Sequence, residues 1–288
     1  MLDLSMDLPI KFHIVIPFGG NSDFLIKTLN SVVDQSYSHW DLTIIDDGTG
    51  LDLEVILKEF LGRVAIVFLP KKVGIVSIFD LSIKELTGDL GMILGADDVL
   101  EPDFLFHMAE AWYRNPHVTL IHPRVITINE QSEVEIGFLD RFKRMIAPTS
   151  FKTILKGRLL TYSLISGNWM YFTSSTFKIN HLKLLKFNPS LKIAMDWDLA
   201  LRMAMAGYSF GYSKESVFYY RRHGNSFSMR QDASFERLNE ELEVIKGVRE
   251  RALKTRSMDI WLFSYFHFYS QLNFFYRKFT NFTKHRQT

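Results

Sequence analysis

The feature that most constrains the fold is a regular alternation in the first hundred residues. Short apolar runs, each closed by a breaker or an acidic turn, are separated by stretches of helical period. Phe12-His13-Ile14-Val15-Ile16 is closed by Pro17, and Asn21-Ser22-Asp23 then offers a helix N-cap. Leu25, Ile26, Leu29, Val32 and Val33 recur at helical spacing. Leu42-Thr43-Ile44-Ile45 is a second strand and ends at Asp46-Asp47-Gly48. A helix through Val55, Ile56 and Phe60 follows, then a strand at Val64–Leu69, a helix over about 75–86 and a fourth strand at Met92-Ile93-Leu94. Pro102 opens the next helix. Strands separated by helices of this length form right-handed βαβ units and a parallel sheet, so the expected class is α/β.

Ligands bind beyond the carboxyl ends of the strands in such sheets. Asp46-Asp47 and Asp97-Asp98 both fall there. The second pair ends the run Gly91–Ala96, where Gly95 and Ala96 remove side-chain bulk just before two carboxylates. Like charges at short range raise each other's pKa, and a divalent cation carrying phosphates removes that cost. Mg²⁺ or Mn²⁺ prefers oxygen ligands and commonly takes only one or two protein carboxylates. The competing reading is a loop that caps the following helix, with Asp98 solvated. For Asp46 and Asp47 it is a turn whose carboxylates accept backbone N–H groups.

Composition narrows the function. A chain of 288 residues can bury a large core. The formal net charge of +2 points to no polyanionic partner, so nucleic acid is not expected. No cysteine is present, which removes disulfides and thiolate metal sites and suits a reducing cytosol. The start, Met1–Asp7, is acidic and lacks the pattern of a secretory signal. No run of about 18 uncharged apolar residues appears, so no transmembrane helix is expected.

The middle, about 120–190, is less regular. It holds a strand at Leu120-Ile121-His122, a charged segment Arg141–Arg144, and Gly167-Asn168-Trp169. Trp169 is either a face on which a sugar stacks or a core residue. Met195–Arg202 starts a helix that ends at Gly207; Asp196 is a candidate N-cap, and Asp198 has the i,i+4 spacing to pair with Arg202. Phe235, Leu238, Leu242, Ile245, Val248 and Ala252 trace one helical face, with Glu and Arg on the other. Beyond it come aromatics from Trp261 to Phe282 mixed with late Lys and Arg, and no acid after Asp259. That pattern suits either an interfacial helix on an anionic membrane or helices that pack on the catalytic domain or a second subunit.

Five segments, in order, resemble the family 2-type glycosyltransferases of GT-A fold. They are Ile14–Pro17, Ile44–Gly48, Leu94–Asp98, Asp196–Arg202 and Tyr220–Ser228. The resemblance covers about residues 12–228. It implies a Rossmann-like, mostly parallel sheet flanked by helices, with a GT-A catalytic domain at 1–230 and a C-terminal helical extension at 231–288. Within the former, about 10–125 would bind the nucleotide and about 126–230 the acceptor.

The implied activity is inverting, metal-dependent transfer of a sugar from a nucleotide-diphosphate sugar to an acceptor hydroxyl, in surface glycan synthesis. The implied roles follow position by position. Pro17, Asp46, Asp47, Gly74, Asp97 and Arg222 would bind the nucleotide-sugar. Asp97, Asp98 and His223 would hold Mn²⁺ or Mg²⁺, with Asp97 as the main ligand. Asp196 would be the general base, taking a proton from the acceptor hydroxyl. Trp169 and Trp197 would contact a glycan or lipid-linked acceptor. A cytoplasmic site at the inner face of the plasma membrane, with peripheral membrane contact or homo-oligomer formation through the C-terminal helices, would suit such an enzyme.

Two departures stand out. Gly95 replaces the leading acid of the metal motif, and Met195 replaces the usual Glu before Asp196. They keep open a second reading, a non-catalytic nucleotide-sugar or glycan-binding subunit. A Rossmann dehydrogenase is a distant third, because Phe18–Asp23 has no G-x-G-x-x-G.

Overall fold

A computed structural model describes residues 8–147, 154–224 and 235–267. The acidic start, Asn225–Ser228 of the fifth motif and the tail beyond His267 lie outside the described residues. The strands are β1 (Phe12–Phe18), β2 (Trp40–Asp46), β3 (Ala65–Phe68), β4 (Leu90–Ile93), β5 (Val99–Leu100), β6 (Leu120–Ile128), β7 (Ile154–Leu155), β8 (Thr176–Lys178) and β9 (Phe210–Arg221). The helices are α1 (Ser22–Val33), α2 (Leu53–Ile56), α3 (Ile75–Glu85), α4 (Phe104–Arg114), α5 (Phe138–Ile146), α6 (Gly157–Ser166), α7 (Ile179–Leu184), α8 (Met195–Met205), α9 (Phe235–Lys254) and α10 (Met258–Phe263).

The described chain forms two compact units. The first comprises the residues up to Ile126, Tyr171–Lys186 and Phe210–Tyr220; the second comprises Thr127–Met170, Phe187–Ser209 and the residues from Arg221 on.

In the first unit the strand order is β3-β2-β1-β4-β8-β6-β9-β5. The four strands expected from the apolar runs form its parallel part, β3-β2-β1-β4. Beyond β4 the sheet turns antiparallel, through β4–β8, β8–β6 and β5–β9. β1 is buried on both faces, as a central parallel strand must be. Phe12, Ile14 and Ile16 join one core with Leu25 and Leu29 of α1 and Leu105 and Met108 of α4. Val15 alternates to the opposite face, and α3 lies against β1, β2 and β4. Asn21 caps α1 as expected, its side chain accepting the Asp23 N–H at 2.8 Å. The stretch through Val55 and Phe60 is shorter than a full helix: one turn, α2, and a 3-10 turn at Lys58–Phe60.

In the second unit α6 packs on α8, and α9 packs on α8 and α10. The buried face of α9 is rotated from the one traced by its apolar residues. Leu242 is exposed, whereas Glu240 and Glu241 are buried beside Val244, Ile245, Val248 and Ala252. The cause is polar: both carboxylates have partners in this unit, described below. Among the described residues no helix is long and apolar enough to cross a membrane.

Candidate functional site

The parallel strands deliver the first acidic pair. β1 and β2 run in register, Phe18 opposite Asp46, so both chains leave the sheet together. Asp46 is buried, and its Oδ1 accepts the Thr49 N–H at 3.2 Å. Asp47 donates its N–H to the Phe18 carbonyl at 2.7 Å, and its Oδ1 accepts the Val73 N–H at 2.7 Å. That bond ties the loop before α3 to the end of β2. Gly74 follows as the N-cap of α3 with φ +88°, a left-handed conformation suited to glycine. Gly48 (φ +62°) passes so close to the Lys71 backbone that a Cβ would lie 2.6 Å from it. The turn chemistry expected for Asp46 and Asp47 is therefore present, and it builds a two-loop cradle at the strand ends.

The second pair follows β4. Asp97 lies half-buried in a turn closed by the Asp98 N–H on the Gly95 carbonyl at 3.2 Å. Asp98 is 1% exposed, accepts the Thr173 hydroxyl at 3.3 Å on Oδ2, and accepts Thr28 Oγ1 on its carbonyl at 2.7 Å. Its carboxylate turns back over Gly95: a Cβ there would meet Asp98 Oδ2 at 2.5 Å and Asp97 Oδ1 at 3.0 Å. The missing leading acid thus has a physical counterpart, because Asp98 fills the space that a side chain at position 95 would need. Pro17, Asp46, Asp47, Gly74, Asp97 and Asp98 all belong to this unit.

Asp196, Arg222, His223, Trp169 and Trp197 belong to the second unit. Asp196 is the second residue of α8; its Oδ1 accepts the Trp197 N–H at 2.7 Å, and Asn168 Nδ2 lies 3.3 Å from each carboxylate oxygen. Burial pushes the Asp196 carboxyl up, while Lys143, the Asn168 and Trp197 N–H groups and Arg237 pull it back toward the ionised form. Lys143 is in turn held down to about 8 by burial and by Arg222 and Arg237. Asp196 is not the helix cap, since Ala194 occupies that position. Asp198 pairs with Arg202 at 2.8 Å as the spacing implied, and with Arg251 at 3.3 Å.

Both tryptophans are packed. Trp169 and Trp197 are 3% and 2% exposed; their indole N–H groups donate to Ser163 Oγ at 3.3 Å and the Leu164 carbonyl at 2.8 Å. Their faces serve the core that supports Asp196 in this conformation. Arg222 pairs with Asp140 at 2.6 Å, Arg221 is buried with Nη1 on the Asn129 carbonyl and Ser132 Oγ, and His223 is half-buried. Lys143 and Glu240 carried no sequence signal of a site role, because a basic residue in a charged run and a Glu on a polar helix face both read as solvated.

Among the described residues no three His, Asp or Glu side chains gather to hold a metal ion. The acidic turn therefore does not fit a metal caged by protein alone. It does fit a divalent ion held by one or two carboxylates and a ligand's phosphate oxygens.

A parallel half-sheet with acidic turns beyond β2 and β4, continued by antiparallel β8 and β6, defines the GT-A class of α/β fold. The glycosyl transferase family 2 model matches residues 13–183, and the chain belongs to that family. The structure is similar to S. aureus TarS 1–349 in complex with UDP-GlcNAc, with a TM-score of 0.65 at 15% identity, over 85% of this chain and 67% of that one. A further crystal structure of S. aureus TarS 1–349 gives 0.62 at 16% identity, over 94% of this chain and 72% of that one. These likenesses are of fold. In sequence, the chain is 22% identical over 220 residues to chondroitin synthase of Escherichia coli, covering 76% of this chain but only 30% of the relative.

Proposed function

We propose that the chain transfers a sugar from a nucleoside-diphosphate sugar to an acceptor hydroxyl with inversion at the anomeric carbon, in the synthesis of a surface glycan. The observation that carries the donor half is the cradle at the ends of β1, β2 and β4, where the Asp47–Val73 bond, Gly74 and the Asp97 turn adjoin one sheet edge. Its place at the carboxyl ends of parallel strands is where such sheets bind nucleotides. UDP-hexosamines are the first donors to try, since TarS 1–349 was solved with UDP-GlcNAc.

Asp97 would hold Mn²⁺ or Mg²⁺ against the diphosphate, with Asp98 fixing the turn from beneath. When bound, such an ion neutralises charge on the departing nucleoside diphosphate. Asp196 takes the proton from the attacking hydroxyl. Burial raises its basicity, and Lys143 and Asn168 keep its carboxylate available.

A thermal-shift series with UDP, UDP-GlcNAc, UDP-glucose and UDP-glucuronate, with and without Mn²⁺, tests the donor half. UDP release on a panel of p-nitrophenyl glycosides tests the transfer. Asp97→Ala is expected to lose the Mn²⁺-dependent shift, and Asp196→Asn to keep it while losing turnover. No shift with any nucleotide would sink the donor assignment. Binding without turnover across the panel would favour the non-catalytic subunit that Gly95 and Met195 leave open.

A further inference from the structure

We propose that Glu240, on the C-terminal helix α9, is a positioning residue for Asp196. This rests on the assignment of Asp196 as the base. The segment entering α8, Lys192-Ile193-Ala194, is a run of bends outside any strand or helix. Its three consecutive N–H groups converge on one carboxylate. Glu240 Oε1 accepts from Lys192 at 2.9 Å, and Oε2 accepts from Ile193 at 2.7 Å and Ala194 at 2.9 Å. Glu240 is 8% exposed, so these are charge-assisted bonds in a largely dry setting.

Ala194 is the N-cap of α8 and has no side chain able to cap it. The carboxylate from α9, 46 residues away in sequence, instead takes the N–H of Ala194 and of the two residues before it, while the Trp197 N–H in the first turn goes to Asp196 itself. Asp196 follows two residues later, so the amides that Glu240 fixes set where the first turn of α8 points its second side chain. The effect is geometric: burial, Lys143, Asn168, the Trp197 N–H and Arg237 lead the influences on Asp196 ionisation. A shift of about 1 Å at a reacting group can cost on the order of 100-fold in rate. The C-terminal extension is thereby part of the catalytic apparatus, acting through α8.

The test compares Glu240→Ala, Glu240→Gln and Asp196→Asn, alone and combined, in the UDP-release assay with UDP-GlcNAc and Mn²⁺. Glu240→Ala is expected to lower kcat about 10- to 100-fold with donor KM within about twofold of the parent. Glu240→Gln keeps one acceptor oxygen for the Ile193 and Ala194 amides, so its kcat should stay within about threefold. In the Asp196→Asn background Glu240→Ala should cost nothing further, since the group it positions is gone. Amide exchange supplies a readout independent of turnover: Lys192–Trp197 should exchange at least about tenfold faster in Glu240→Ala, with the sheet of the first unit unchanged.

Parental kcat in Glu240→Ala, a Gln variant as slow as the Ala one, or unchanged exchange at Lys192–Trp197 overturns the proposal. If Glu240→Ala does not fold, Glu240→Gln decides through exchange and turnover together: faster exchange at Lys192–Trp197 with parental kcat, or a fall in kcat with exchange unchanged, overturns it, and agreement of the two upholds it. Parental turnover in Asp196→Asn would overturn the base assignment instead, a result distinct from any of these.

Discussion

Gly95 offers a sharp test of how the metal-side turn is built. Its backbone is not in the left-handed region, so an alanine there meets no torsional penalty. The cost is contact: the new Cβ would lie 2.5 Å from Asp98 Oδ2 and 3.0 Å from Asp97 Oδ1. A surface carboxylate would swing aside cheaply. Asp98 cannot, because it is 1% exposed and its Oδ2 is engaged by the Thr173 hydroxyl. Overpacking of a buried site costs about 1–3 kcal/mol. Against it stands a gain of about 0.4–1 kcal/mol from the stiffer unfolded chain. Taking about 2 kcal/mol for the first and about 0.7 kcal/mol for the second, the balance is a loss of about 1.3 kcal/mol, or a drop in Tm of about 2 °C for a chain of 288 residues.

Gly95→Asp restores the motif's leading acid and separates sterics from charge. It keeps the Cβ clash and adds a third carboxylate beside Asp97 and Asp98. At about 5 Å and an effective dielectric of about 20, each like-charge pair contributes about 3 kcal/mol before solvent screening at the half-buried Asp97 reduces it. Gly95→Asp should therefore melt below Gly95→Ala at pH 7.5. The gap should narrow toward pH 4, where the added carboxyl takes up a proton. Mn²⁺ with UDP should recover more Tm in Gly95→Asp than in Gly95→Ala, since a cation relieves charge but not overlap. Thermal unfolding at the two pH values, with and without Mn²⁺ and UDP, reads all of this. A Gly95→Ala variant as stable as the parent would refute the claim that Asp98 occupies the position-95 space.

Two further variants, at Lys143 and Asp47, give three outcomes. Lys143→Met should move the acidic limb of kcat/KM to higher pH, because the largest influence holding Asp196 ionised is lost; an unmoved limb in the pH–rate profile would refute the pairing. The stability effect has the opposite sense on the lysine itself. Its folded pKa is lowered from 10.5 to about 8, so the unfolded chain binds the extra proton between those values and Lys143 adds stability as pH rises through that window. Denaturant titrations should show the Lys143→Met gain, at most about 3 kcal/mol below pH 8, vanish by pH 10.5. Asp47→Ala removes the acceptor of the Val73 N–H; it should cost about 1–2 kcal/mol and abolish the UDP thermal shift, and a retained shift would detach the nucleotide from this loop.

What could be read from the sequence depended on whether function and local pattern coincide. Most of the parallel part of the sheet was legible because the apolar runs of β1, β2 and β4 are buried on both faces, and that of β2 stops at an acidic turn, Ile44-Ile45 at Asp46. The antiparallel part was not. β5 and β8 are two and three residues long, too short to show alternation, and β9 buries Ser213, Ser216 and Arg221 among its apolar residues, which erases the period. The acidic turns were legible for the same reason as the strands they follow. The surroundings of Asp196 were not, since Lys143 comes from α5, Asn168 from the loop after α6, and Arg237 and Glu240 from α9, three segments far apart in sequence.

Residue type misled wherever burial ran against it. Trp169 and Trp197 invite an acceptor role, yet they are packed: the Trp197 indole ties α8 to the Leu164 carbonyl of α6, and the Trp169 indole ties the loop after α6 back to Ser163. Glu240 and Glu241 invite a solvent role on α9, yet they are buried, one taking three amides and the other the Arg237 guanidinium at 3.0 Å. A helix that served only to cover an apolar core would bury Leu242 and expose both acids. α9 does the reverse, accepting the desolvation of two carboxylates: Glu240 reaches the start of α8, and Glu241 is paired with Arg237 one turn earlier on α9 itself. That choice makes sense if the placement of α8's first turn matters more than the stability another apolar contact would give, and the Glu240 variants measure it directly.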